Sequence, residues 1–133
     1  AKVAEVRRTA EEVAPESCRF STRQLQFPNR LDSSVQAPVE VSALQLGSVA
    51  AAFVPGEFYV EFQLAWREKA GPGPAFLVGY ANGWCGYIPT RAAYGEGGYG
   101  VDLYQGDEIE SSRTMLPPGA GEQIADTLMH FVS

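Results

Sequence analysis

The order of apolar runs and turn residues between positions 49 and 80 restricts the fold more than any other part of the chain. The run Val49–Val54 is continuously apolar and stops at a Pro-Gly turn, which indicates a strand buried on both faces. Apolar residues then recur at helical spacing as far as Trp66, so we expect a helix that Glu57 opens. A Gly-Pro-Gly-Pro break leads into a second buried strand, Ala75–Tyr80. This alternation favours an α/β fold, with a mixed sheet and flanking helices.

The flanking segments supply the remaining elements. An apolar stripe predicts a helix over residues 1–14, which Pro15 ends. Residues 18–27 suit a strand, and the alternation over residues 39–43 predicts another, which a Gly-Ser turn joins as a hairpin to the strand that follows. A last apolar stripe predicts a closing helix and consists of Ile124, Leu128 and Phe131.

The composition favours one domain and argues against two classes of partner. Residues 1–133, 45% of them hydrophobic, have the size and content of a single packed domain. Sixteen acidic against ten basic residues give a net charge of −6, which opposes the counterion release that drives binding to nucleic acid. We therefore expect no nucleic-acid partner. The longest apolar run, residues 49–54, is far shorter than the roughly 20 residues of a membrane span, which predicts a soluble chain.

Two cysteines and a single histidine limit the chemistry that the chain can carry alone. Cys18 and Cys85 could form one disulfide or stay free, and spacing does not decide between these states. We interpret Cys85 as structural, because no histidine or lysine lies near it in sequence to lower its pKa. His130 lies near the end of the closing helix, where we expect it to interact with the helix dipole.

Residues 79–100, GYANGWCGYIPTRAAYGEGGYG, form a predicted long loop with four tyrosines, one tryptophan and seven glycines. The rings could seal the loop onto the core or present their hydroxyls to a ligand. Three of the glycines match the spacing G-x-G-x-x-G, but we reject a dinucleotide site because no strand precedes them and no helix follows. Glu57 likewise has two interpretations, a favourable carboxylate at a helix start or a ligand at the carboxyl end of a strand.

Three segments taken together resemble a known family: VEVSALQLGSVAAAFVPGEFYVEF, FLVGYANGWCGYIPTRAAYGEGGY and LPPGAGEQIADTLMHFV. In this order they resemble the C-terminal part of the catalytic domain of the neutral/alkaline ceramidases. The resemblance covers about Val39 to Val132, and its most specific part is the combination of PGE with GYIPT, AY and GGY. It implies that the chain is a portion of a larger α/β catalytic domain.

Members of that family are zinc-dependent amidases that hydrolyse the N-acyl bond of ceramide and hold one zinc ion through two histidines, one glutamate and one tyrosine. The resemblance implies that Glu57 and Tyr87 are the glutamate and tyrosine ligands. It also implies that Tyr99 is catalytic and forms a hydrogen bond to the substrate amide or to its developing oxyanion. Three further aromatic residues of the segment 79–100 are assigned to an apolar wall that binds the substrate: Tyr80, Trp84 and Tyr94.

The two histidine ligands of the family have no counterpart here, since His130 lies outside either histidine motif. We therefore expect the chain alone to be inactive, as a piece of a longer enzyme or as one subunit of a homo- or hetero-oligomer whose partner segment supplies the histidines. The resemblance further implies a lipid amide substrate and a secreted or periplasmic location. Two alternatives stay open: a noncatalytic aromatic-rich module that binds a lipid or sugar without metal, and a purely structural assembly domain.

Overall fold

The computed structural model describes residues 2–10, 17–102 and 114–132. Helix α1 (Lys2–Thr9) is followed by strands β1 (Cys18–Pro28), β2 (Gln36–Leu46) and β3 (Val49–Phe53). The next elements are the short strand β4 (Glu57–Phe58), helix α2 (Val60–Lys69) and strand β5 (Ala75–Val78). The last are β6 (Tyr87–Ile88), α3 (Arg91–Glu96) and α4 (Ala120–Phe131).

Four strands form one mixed sheet in the order β1-β2-β3-β5. The first two pairings are antiparallel, whereas β3 and β5 run parallel and are connected through α2. Leu46 pairs with Val49, so the predicted two-residue Gly-Ser hairpin is confirmed, with Gly47 at a φ of 56°. The mixed sheet and its helices confirm the predicted α/β class in a single small domain.

The core lies where α2 and α4 pack against the sheet and against each other. The helices contribute Trp66, Ile124 and Leu128, each at most 2% exposed. The sheet contributes alternate residues of β2 and β3, namely Ala37, Val39, Val41, Ala43, Ala50 and Ala52. Burial of each large apolar side chain stabilises the fold by about 1.5 to 3 kcal/mol.

One row of apolar side chains crosses the face of the sheet opposite to the core. Phe20, Leu44, Ala51 and Phe76 are successive cross-strand partners from β1 to β5. Phe20 and Phe76, at the two ends of the row, are 62% and 53% exposed. Leu44 and Ala51, between them, are half-buried, so the described part of the chain leaves mainly the two ends of the row uncovered.

Glu57 does not open a helix, contrary to the sequence prediction. Its N–H donates to the Gly86 carbonyl at 2.9 Å, and the parallel pairing of β4 with β6 keeps this part of the chain extended. Tyr59 retains extended backbone, with φ −63° and ψ 148°, and α2 begins at Val60. Glu57 and its partner Tyr87 are 30 residues apart in sequence (87 − 57), so no local pattern reports the pairing.

The two strands predicted to be fully buried are each covered less than expected. In β3 the buried residues alternate with half-buried ones, because only one face meets the helices. β5 lies at the edge of the sheet, where Phe76 and Val78 are 53% and 39% exposed. Both differences have the same cause, because a continuous apolar run does not indicate where a strand lies in its sheet.

The N-terminal helix and the long loop also differ from the prediction. α1 ends at Thr9, and residues 11–16, with the proposed stop at Pro15, lie outside the described residues. The predicted loop at 79–100 contains β6 and α3. Helix α3 begins after Thr90, whose side-chain oxygen accepts from the Ala93 N–H at 3.2 Å.

The burial of Cys85 agrees with the structural role predicted for it, and His130 lies at the predicted helix end. Cys18 is an exposed and Cys85 a buried free thiol, so they form no disulfide. Burial raises the pKa of the Cys85 thiol to about 12, because desolvation disfavours the thiolate. His130 lies in the last turn of α4, and its Nδ1–H donates to the Asp126 carbonyl at 2.6 Å.

Candidate functional site

The turn at residues 54–56, between β3 and β4, anchors the segment that follows β5. Its three consecutive carbonyls accept hydrogen bonds from the amides of Ala81 (2.9 Å), Cys85 (2.7 Å) and Tyr80 (3.2 Å), in that order. The carbonyls of these three buried residues are thereby paired without a regular strand. Residues 80–85 are therefore held at the carboxyl ends of the parallel strands β3 and β5, where α/β sheets commonly place ligands.

Gly56 permits the close approach that brings the two predicted zinc ligands together. A Cβ at this position would clash with the Gly86 carbonyl oxygen and would lie 3.0 Å from Cys85 Sγ. Without that side chain, β4 reaches β6 and Glu57 pairs with Tyr87. Paired residues of neighbouring strands project from the same face about 5 Å apart, so the carboxylate and the phenol are side by side.

Two tyrosines form hydrogen bonds with the Glu57 carboxylate, Tyr80 and Tyr87. The Tyr80 hydroxyl donates to Glu57 Oε2 at 2.5 Å, and this hydrogen bond raises the pKa of Tyr80. Hydrogen bonding to Tyr99, then burial, then hydrogen bonding to Glu57 raise the pKa of Tyr87. Both phenols are therefore neutral donors at neutral pH. A phenolate at Tyr87 would need a nearby cation to offset the negative charge of Glu57.

Tyr99 reaches this group from the segment after α3. Its ring meets the Tyr87 ring edge to face, with centroids 5.5 Å apart and an interplanar angle of 70°. Gly100 follows at φ 85°, and a Cβ there would lie 3.0 Å from Tyr87 Cγ, so the glycine lets this segment lie against the ring. Tyr99 is 65% exposed, which leaves it accessible from solvent.

Tyr59 is a member of the group that the sequence analysis missed. Its hydroxyl donates to the Tyr99 carbonyl at 3.4 Å, and burial, then the charges of Glu61 and Glu57, raise the pKa of its phenol. Its position two residues after Glu57 in an extended segment is the signal that would have placed it near the site. The assumed helix start at Glu57 concealed this signal.

Tyr80 and Trp84 form a stacked pair beside the carboxylate. Their ring centroids are 5.2 Å apart at an interplanar angle of 6°, and the side chains are 61% and 43% exposed. Tyr80 and Asn82 have φ values of 57° and 64°, a left-handed conformation that is uncommon for residues other than glycine. Such strain persists only where the surroundings enforce it, and it is common at functional sites.

Tyr94 has a different set of partners from the other five predicted site residues. Its hydroxyl donates to the Leu116 carbonyl at 2.7 Å and lies 3.3 Å from Thr114 Oγ1. The Arg30 guanidinium lies 4.9 Å from the ring centroid, and burial is the main reason that the pKa of Tyr94 is raised. These contacts attach α3 to residues 114–116. The structure thus brings together Glu57, Tyr80, Trp84, Tyr87 and Tyr99.

This group offers a metal ion two adjacent oxygen ligands. Carboxylate and phenolate oxygens are hard ligands that zinc accepts, but a catalytic zinc site needs about three protein ligands. Among residues 2–10, 17–102 and 114–132, no cluster of three or more histidine, cysteine, aspartate or glutamate side chains is placed to hold a metal ion. The donor set fits one part of a zinc site and requires ligands from elsewhere.

Comparisons with protein-family models, with curated proteins and with solved structures found no match to this chain. Within the described ranges, none of the helices has the length and apolar character that a membrane crossing requires.

Proposed function

We propose that the chain carries the zinc-site half of a ceramidase-like amidohydrolase that cleaves the N-acyl bond of ceramide or a related lipid amide. The observation that carries the proposal is the pairing of Glu57 with Tyr87, with Tyr99 at the edge of the Tyr87 ring. These are the residues to which the resemblance assigns metal binding and catalysis. They come from three separate segments, and their convergence does not follow from sequence spacing.

In this proposal Glu57 and Tyr87 hold one zinc ion together with two histidines from another segment or chain. Zinc, when bound, supplies a Lewis acid that polarises the amide carbonyl and lowers the pKa of a bound water to about 7. Tyr99 donates a hydrogen bond to the carbonyl oxygen as negative charge develops there, a contact worth roughly 3 kcal/mol in other hydrolases. Tyr80 orients the Glu57 carboxylate through its 2.5 Å hydrogen bond.

The uncovered apolar row on the sheet supports the need for a partner segment. Large apolar side chains exposed on one face of a small domain commonly mark an interaction site, and Phe20 and Phe76 lie exposed at the two ends of this row. We propose that the remainder of the enzyme, or a partner chain in a homo- or hetero-oligomer, covers this surface and supplies the histidines. By the same resemblance, the complete enzyme is secreted or periplasmic.

The first test is native mass spectrometry of the protein from its own source, followed by assay of the complete enzyme on a ceramide. We expect a complex that contains this chain, a histidine-bearing segment and one zinc ion. Glu57→Gln and Tyr87→Phe should each abolish hydrolysis and zinc retention while the circular dichroism spectrum stays unchanged. Glu68→Gln, on the exposed surface of α2, is the matched control and should retain both. Full activity in either site variant would refute the ligand assignment.

The stacked pair favours one alternative, a noncatalytic aromatic-rich module that binds a lipid or sugar. Tyr80 and Trp84 present exposed ring surface, as aromatic binding platforms do. This alternative predicts that the metal-free chain binds such a ligand and that Glu57→Gln leaves the affinity unchanged. Binding that requires zinc would exclude it.

A further inference from the structure

Two rings and a carboxylate meet at one exposed corner of the site. The Tyr80 hydroxyl donates to Glu57 Oε2 at 2.5 Å, so the negative charge lies at the edge of the Tyr80 ring. Trp84 stacks on that ring with centroids 5.2 Å apart. We infer that Glu57, Tyr80 and Trp84 form a binding site for an alkylammonium ion in the metal-free chain.

The chemistry of the corner matches that ligand class. An ammonium group is attracted to the face of an indole or phenol ring and, at short range, to a carboxylate. Tyr80 and Trp84 are 61% and 43% exposed, so a ligand can reach their free surfaces from solvent. A carboxylate ligand would meet the charge of Glu57, and a neutral one would gain only contact area.

Two arginines near the surrounding loops are engaged elsewhere. The Arg30 guanidinium lies over the Tyr94 ring and donates to the Val101 carbonyl. The Arg91 guanidinium packs against the backbone of Gly119. These contacts hold both guanidinium groups against residues outside the corner, and the groups that hydrogen-bond to Glu57 there, Tyr80 and Tyr87, carry no positive charge.

The corner is fixed before any ligand arrives. The amides of Tyr80 and Cys85, on either side of Trp84, donate to the carbonyls of residues 54–56, and Asn82 Nδ2 donates to the buried Ser42 hydroxyl at 3.2 Å. The left-handed backbone of Tyr80 and Asn82 is thereby maintained. A site whose rings are already placed loses little conformational entropy on binding, which favours affinity for a small ligand.

The inference is independent of the proposed hydrolase, although both use Glu57. A zinc ion would take oxygen atoms of Glu57 and Tyr87, whereas an ammonium ion takes the carboxylate of Glu57 and the ring of Trp84. Tyr87→Phe should therefore abolish zinc retention in the complete enzyme and leave ammonium binding unchanged. Trp84→Ala should do the reverse, so the failure of one proposal can be told apart from the failure of the other.

The test titrates the metal-free chain with choline and, separately, with 3,3-dimethyl-1-butanol, a neutral molecule of the same shape. The buffer contains a chelator, and sodium balances the ionic strength. The readout is the indole N–H resonance in two-dimensional NMR, because the chain has two tryptophans and buried Trp66, 2% exposed, serves as an internal reference. We expect the Trp84 resonance to shift with choline at about tenfold lower concentration than with the neutral molecule.

Variants locate the contribution of each group. Glu57→Gln should weaken choline binding by about threefold to tenfold, and Trp84→Ala should weaken it by a similar factor in calorimetry. Glu68→Gln, which changes an exposed carboxylate of α2 outside the corner, should bind as the parent does. Equal affinity for choline and its neutral counterpart would overturn the inference, and this comparison needs no variant. Undiminished choline binding by folded Trp84→Ala would overturn it as well.

Discussion

Gly56→Ala is expected to destabilise the fold because the new methyl group has no space. It would overlap the Gly86 carbonyl oxygen and lie 3.0 Å from Cys85 Sγ and 3.2 Å from Ile88 Cδ1. Overpacking of this kind costs about 1 to 3 kcal/mol. Retreat of the Gly86 carbonyl also lengthens its 2.9 Å hydrogen bond from the Glu57 N–H, which contributes about 1 kcal/mol. The free energy of unfolding should therefore fall by about 2 to 4 kcal/mol.

Thermal and urea denaturation, followed by circular dichroism, measure this change. With an unfolding entropy of roughly 2.1 cal/mol/K per residue over 133 residues, the expected loss lowers Tm by about 7 to 14 °C. Gly95→Ala is the matched control, because a Cβ at Gly95 meets nothing within 4 Å and the residue lies in helix α3. Its Tm should stay the same or rise by up to about 4 °C, as helix propensity predicts. A Gly56→Ala protein with the parent Tm would refute the close-packing account of the site.

Three further outcomes follow from the burial and hydrogen bonding of single side chains. In the native chain, iodoacetamide should modify Cys18 and leave Cys85 unmodified until denaturant is added; equal labelling, read by peptide mass mapping, would contradict the burial of Cys85. Because the pKa of Cys85 is about 12 in the folded chain and about 8.5 when unfolded, the unfolded state loses its proton first as the pH rises. The stability that this thiol contributes is thus complete below about pH 8.5 and is lost progressively up to about pH 12. Between pH 8 and 10 the unfolding free energy should fall by about 1 to 2 kcal/mol less in Cys85→Ala than in the parent. Urea denaturation at each pH measures this difference, and an equal fall in both proteins would disprove it. Tyr94→Phe removes the 2.7 Å hydrogen bond to the Leu116 carbonyl and should cost about 1 kcal/mol in urea denaturation, whereas an unchanged midpoint would mean that this bond adds nothing.

The larger elements were predictable because their signals are local. The alternation over residues 39–43 and the Gly-Ser turn determined the β2–β3 hairpin, and the spacing of Ile124, Leu128 and Phe131 determined α4. Each of these patterns lies within about a dozen residues, the range over which periodicity and turn chemistry operate. The α/β class followed from the order of these elements alone.

The architecture of the site was not predictable in the same way. β4 and β6 are two residues long, too short for any periodicity, and they exist because Gly56 lets two distant segments touch. Tyr59 was missed because the apolar spacing after Glu57 predicted a helix in place of the extended segment that carries it. Helix α3 left a weak local signal, since Thr90 precedes Arg91 as an N-cap residue, but the many glycines nearby favoured a loop.

The hydrogen bonds that anchor residues 80–85 to residues 54–56 also determine when the site forms during folding. They close loops of 24 to 30 residues (80 − 56 and 85 − 55), whereas the β2–β3 hairpin closes across two residues. Hairpins form in roughly 1 to 10 μs, but a parallel pairing must wait until its crossover has folded and the entropy of loop closure has been overcome. The corner around Glu57 and Trp84 is therefore assembled after the β2–β3 hairpin. Its amides should be among the first to exchange with solvent when the native chain opens locally.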